Sequence, residues 1–108
     1  MATATLDTTT IVDWETFHAA SREAFGFPDF YGRNMDAWID CLTYLDADNG
    51  MSRFALATGE TLCVEVRGAQ SFAERLPELA LALMTATAAV NGRNIEDGKP
   101  PSLMLLLI

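Results

Sequence analysis

The residues with the clearest chemical potential are Asp36 and Asp40, two carboxylates four positions apart in a stretch of helical periodicity. At that spacing both project from one helix face, roughly 5 to 6 Å apart at Cβ, and repel one another by a few tenths of a kcal/mol. The helix N-terminus offsets part of that cost for Asp36 and less for Asp40, which lies deeper. Paired carboxylates can exchange protons, ligate a cation, or present fixed negative charge to a basic partner. A catalytic pair requires a cleft and separated pKa values, and an exposed helix face supplies neither. A metal-assisted hydrolase using Asp36, Asp40 and Asp29 is the catalytic alternative, which a metal titration tests.

The groups around the pair favour binding. The loop from Gly26 to Arg33 carries Phe27, Phe30 and Tyr31 despite holding Pro28 and Gly32, and it leads into Asn34. Rings, amide and anions are expected to share one surface, with the two aspartates pointing outward together and uncovered by the chain's own basic groups. Preorganised aromatic and charged groups lose little entropy when a partner docks, which suits a protein-binding hot spot.

Other catalytic signatures are missing. The sequence has no glycine-rich loop ending in Lys-Ser/Thr, no His-Glu-x-x-His and no Gly-x-Ser-x-Gly. His18 is the one histidine, so no two-histidine metal site or acid/base pair can form, and its mid-helix position reads as partly buried structure. The segment Asp46 to Gly50 has a superficial likeness to a calcium loop. Its glycine comes one position early and Ala57 stands where the bidentate glutamate belongs, so it reads as a solvated turn. Cys41 and Cys63 lie far apart in apolar patterns, as reduced core thiols do. No enzyme activity, metal or cofactor is expected.

Fifteen acidic residues against seven basic give a formal charge of −8, which repels nucleic acid and anionic membranes and steers a basic protein inward. The 108 residues, half of them apolar, suit one domain over 1–108 with its own core, expected to be monomeric. Met1 to Thr10 lacks the basic and apolar regions of a signal peptide, and no apolar run approaches the ~20 residues of a membrane span. A cytoplasmic location is the corresponding expectation.

Several elements must position these groups. Ala4 to Asp7 reads as an edge strand. From Asp13 as N-cap, Trp14, Phe17, Ala20, Ala24 and Phe25 mark one face of a helix that Gly26 and Pro28 end. Asn34 caps a second helix with Met35, Trp38, Ile39, Leu42 and Leu45 inward and its acidic face outward. Leu62 to Val66 is a strand, Ser71 to Leu76 a short helix, and Pro77 opens a longer helix to Val90 or beyond. Apolar residues around that helix, including Leu81 and Met84, predict cover on more than one side. Leu103 to Ile108, continuously apolar, predicts a strand buried on both faces. Strands separated by helices imply right-handed crossovers, and hence an α/β fold with a small parallel sheet and helices packed on it.

The run Phe27-Pro28-Asp29-Phe30-Tyr31-Gly32-Arg33-Asn34-Met35-Asp36-Ala37-Trp38-Ile39-Asp40-Cys41-Leu42-Thr43 resembles the signature of the barstar family. The resemblance extends more loosely to Phe17, His18 and the later strand, helix, strand order. It implies a three-stranded parallel sheet with packed helices, and a non-catalytic intracellular inhibitor that inserts an acidic helix into a ribonuclease. Carried over on that resemblance, Asp40 is the principal anion mimicking phosphate and Asp36 a second anion. Phe30 stands where the family typically has a tyrosine, Tyr31 matches an aromatic, and Asn34 matches an amide. Tyr44 beside the motif completes the expected partner-binding set. Phe30 lacks the hydroxyl, Arg33 stands where an acidic residue is common, and Tyr44-Leu45 stands where Gly-Trp follows the threonine in the best-known member. Glu74 and Glu78 are the candidates for the family's acidic contact on the last helix. The alternative partner is some other basic protein met in a regulatory or immunity role.

Overall fold

A computed structural model describes residues 2–108. Strands β1 (Thr3–Asp7), β2 (Leu62–Arg67) and β3 (Leu103–Leu107) form a parallel three-stranded sheet in the order β1-β2-β3. A 3-10 turn at Thr8–Thr10 precedes α1 (Trp14–Phe25) and α2 (Met35–Thr43), and α3 (Ala69–Arg75) and α4 (Pro77–Glu96) follow β2. This is the α/β arrangement expected, each parallel pair being bridged by helices.

Local chemistry explains the boundaries. Asp13 accepts from the Thr16 backbone N–H at 2.8 Å, and Thr16 Oγ1 accepts from the Asp13 N–H at 3.0 Å, a reciprocal cap on α1. Gly26 ends α1 at φ 68°, and a Cβ there would lie 2.7 Å from Arg53 Cβ. That close approach reveals the course of the poorly patterned segment before β2. Arg53 N–H donates to Phe25 O at 3.0 Å, Ser52 Oγ to the same carbonyl at 2.7 Å, and Arg53 Nη1 to Glu23 O at 2.8 Å. The segment therefore satisfies the orphan carbonyls at the end of α1. Pro77 occupies the first turn of α4, where its missing N–H costs nothing.

The register sets Ala4, Val64 and Leu105 in one row and Leu6, Val66 and Leu107 in another. On this side Ala4, Leu6, Val64, Val66 and the half-buried Leu105 meet Phe17, Phe25, Trp38, Leu42, Phe72, Leu83 and Val90 in one apolar cluster, which Leu107 does not join. Cys41 and Cys63 are buried free thiols, as expected, and burial, aided by the charge of Asp40, pushes the Cys41 thiol pKa up.

Three expectations are corrected. β3 is an edge strand, and Met104, Leu106, Leu107 and Ile108 are exposed where burial on both faces was predicted. Continuous apolarity marks what a strand tolerates, whereas cover depends on which elements lie over it. Leu81 and Met84 on α4 are likewise exposed, because no element among the described residues covers that side of the helix. Trp14 is also partly exposed, stacking on His18 with ring centroids 6.2 Å apart.

Candidate functional site

The acidic face of α2 is held firmly from beneath. Asn34 Oδ1 accepts from the Ala37 N–H at 2.8 Å, the cap expected from sequence, and its Nδ2 donates to Gly32 O at 3.3 Å. Arg33 precedes it at φ 53°, a left-handed conformation rarely adopted by a long side chain. Trp38 and Leu42 are fully buried on the inner side, and Met35 and Ile39 pack partly against the same core. Trp38 Nε1 donates to Ser21 Oγ of α1 at 3.2 Å, so the indole is anchored as well as buried. At the far end, buried Asn94 of α4 donates to Thr43 O at 3.2 Å, to Val90 O at 3.0 Å and to Ser102 Oγ at 3.1 Å. The start of α2 is thus capped, its middle bonded to α1 and its end bonded to α4, which keeps its outward side chains preorganised.

Asp36 and Asp40 both lie exposed on that outward side. Asp36 forms no ion pair among the described residues. Asp40 differs from the expectation of an uncovered anion. Arg93 Nη1 of α4 donates to Asp40 Oδ1 at 2.7 Å, with a longer contact to Thr43 Oγ1 at 3.4 Å. The Asp40 side chain nevertheless stays 62% exposed and that of Arg93 48%. The hydrogen bond to Asp40 is the main influence raising the Arg93 pKa, and electrostatic contributions from Asp40, Tyr44 and Asp36 reinforce it. Arg93 therefore ties α4 to the acidic face at Asp40 and Thr43.

The aromatic loop divides. Phe30 is 76% exposed, whereas Tyr31 is 7% exposed and belongs to the core. The idea that both rings share the outward surface is corrected accordingly. Tyr31 packs against Phe27 with the rings tilted by 44° and their centroids 4.6 Å apart, and its hydroxyl meets His18 Nδ1 at 2.6 Å. Burial first, then the charge on Cys41, pushes the Tyr31 pKa up. Burial, aided by the Arg33 cation, lowers that of His18 from 6.5. A neutral imidazole accepts from the Tyr31 O–H at Nδ1 in one tautomer and donates from Nδ1–H to the phenol oxygen in the other. His18 is buried, as a structural helix histidine should be. Tyr44, which ends α2, has an exposed ring.

Glu74 lies on α3 and Glu78 in the first turn of α4. Glu78 is roughly 22 Å along α4 from Arg93, the residue that reaches the acidic face. No local pattern distinguished Arg93, since its importance arises from helix packing across 53 positions of chain. Asp46, in the former calcium-loop candidate, pairs with Lys99 at 3.0 Å, and Asp48 and Gly50 are exposed. Among the described residues no three acidic, histidine or cysteine side chains gather as metal ligands do. No helix among them is long and apolar enough to cross a membrane.

A three-stranded parallel sheet carrying a capped, acidic second helix defines an α/β protein of barstar-like fold. The family model described as Barstar (barnase inhibitor) matches residues 1–105, and the chain belongs to that family. No curated protein matches it. Its family is thus an inhibitor family, and the face just described lies within the matched region.

Proposed function

We propose that this chain inhibits a ribonuclease of the barnase type by setting the outward face of α2 against the enzyme's basic, phosphate-binding cleft. The observation that supports this most is the exposed pair Asp36 and Asp40 on a helix anchored through Trp38 and Asn94. Fixed carboxylates on a rigid element replace substrate phosphate without the ordering cost of a flexible acidic segment. Phe30, almost bare to solvent, supplies an aromatic contact beside the charges, and Tyr44 extends the surface at the other end of α2. Asn34 acts by holding the helix start, and Tyr31 supports the loop from inside. The surplus of negative charge steers a basic enzyme toward the chain.

The test is residual activity of a barnase-type ribonuclease mixed with the wild type, Asp36→Ala or Asp40→Ala. Each substitution is expected to weaken inhibition by roughly tenfold or more. Wild type and both variants behaving alike would remove this face from the reading. A second reading gives the same face to another basic protein in a regulatory or immunity role. The Arg93 guanidinium on Asp40 favours it, since a uniformly basic cleft offers that group no acceptor.

A further inference from the structure

Resting on the inhibitor reading, the structure assigns to Arg93 the choice of partner: the face fits a basic site that also carries an acidic group opposite this guanidinium. Arg93 comes from α4, yet its Nη1 lies 2.7 Å from Asp40 Oδ1 and 3.4 Å from Thr43 Oγ1 on α2. The charge of Asp36 on the same face also reaches it. A cation is thus set in the middle of the surface that would meet a basic enzyme.

Two physical consequences follow for docking. The side chain is 48% exposed, so a partner seated on Asp36 and Asp40 also covers Arg93. A guanidinium carries five N–H donors, and the contacts to α2 come from Nη1 alone. The remaining donors lose water on docking and need new acceptors, and leaving them without any is costly. A partner with only cations at this place meets like charge and unpaired donors together. One with a carboxylate beside its cations pairs with Arg93 while its cations take Asp36 and the exposed side of Asp40. Arg93 thereby rejects uniformly basic clefts and admits those of mixed charge, a repulsive device for specificity.

Arg93→Lys keeps the charge without the planar fork, Arg93→Ala removes both, and Arg93→Glu reverses the sign.

The probe is a barnase-type ribonuclease chosen so that its phosphate-binding cleft offers cations and no carboxylate opposite Arg93. Inhibition constants and association rates are measured over a salt series for the wild type and the three Arg93 variants, with Asp36→Ala and Asp40→Ala alongside. Arg93→Ala is expected to tighten inhibition about tenfold and Arg93→Glu further, with Arg93→Lys near wild type. The association rate of Arg93→Glu should fall more steeply with salt than that of the wild type, a readout that a purely structural role leaves unmoved. Thermal melts of the Arg93 variants within a few degrees of wild type show the same fold under test.

If the aspartate variants weaken inhibition while Arg93→Ala leaves it unchanged or weakens it, the inhibitor reading stands and the role of Arg93 falls. Arg93→Lys inhibiting as tightly as Arg93→Ala would also overturn the proposal, because charge would then not be the discriminating property. If no variant inhibits at all, Arg93→Glu included, both readings fall together.

Discussion

Trp38 lies directly beneath the acidic face of α2 and donates its indole N–H to Ser21 Oγ on α1 at 3.2 Å. Both residues are fully buried, so the bond joins two helices through the core and fixes the helix that carries Asp36 and Asp40. Ser21→Ala leaves a buried N–H without an acceptor, which costs about 1–3 kcal/mol. Chemical denaturation should show a lower midpoint with an unchanged slope. The same variant should weaken inhibition less than Asp36→Ala, since it loosens the support without removing an anion.

Asn34→Ala removes the side-chain acceptor for the Ala37 N–H, and the cap of α2 with it. Loss of such a cap typically costs ~1 kcal/mol. Asn34→Asp and Asn34→Ser supply an oxygen at the same place and should restore most of the lost stability in thermal melts.

His18 is kept neutral by burial and by Arg33, so its pKa in the folded chain lies below the ordinary 6.5. The unfolded chain then binds more protons than the folded one between the two values, and stability rises with pH across that window. The contribution is fully present above about pH 6.5 and is lost as pH falls through the depressed folded value. Melting temperature measured from pH 8 downward should fall in that range, and His18→Gln should flatten that part of the profile. A wild-type profile that stays level below pH 6 would contradict the neutral assignment of the His18–Tyr31 pair.

Phe30→Ala separates binding from folding. The ring is 76% exposed and contributes little to the core, so the melting temperature should change by less than ~2 °C. Inhibition of a barnase-type ribonuclease should weaken by roughly tenfold if the ring is covered on docking. Tyr31→Phe should show the opposite balance, lowering stability through loss of the bond to His18 with a smaller effect on inhibition.

Much of this organisation was legible in local patterns. Asp13, Asn34 and Pro77 announced helix starts, and Gly26 a helix end, because capping depends on groups within one turn. The spacing of Asp36 and Asp40 put them on one face for the same reason, and the motif from Phe27 to Thr43 carried the family. Trp38 and Leu42 could be placed inward from periodicity alone.

Long-range placement decided the rest. Leu103 to Ile108 and the outer side of α4 are apolar wherever they sit, and only the topology leaves β3 at an edge and Leu81 and Met84 uncovered. Tyr31 and Phe30 are adjacent in the chain but part company, because one finds His18 across the core and the other finds water. The fate of Asp40 shows the division most plainly. Periodicity turns its carboxylate outward, since that depends on 3.6 residues per turn. Whether the carboxylate meets solvent or a cation depends on where α4 crosses α2, and that crossing brings Arg93 to it. Short-range hydrogen bonding and helical repeat are encoded residue by residue, whereas the neighbours of a surface charge are set by the packing of elements far apart in the chain.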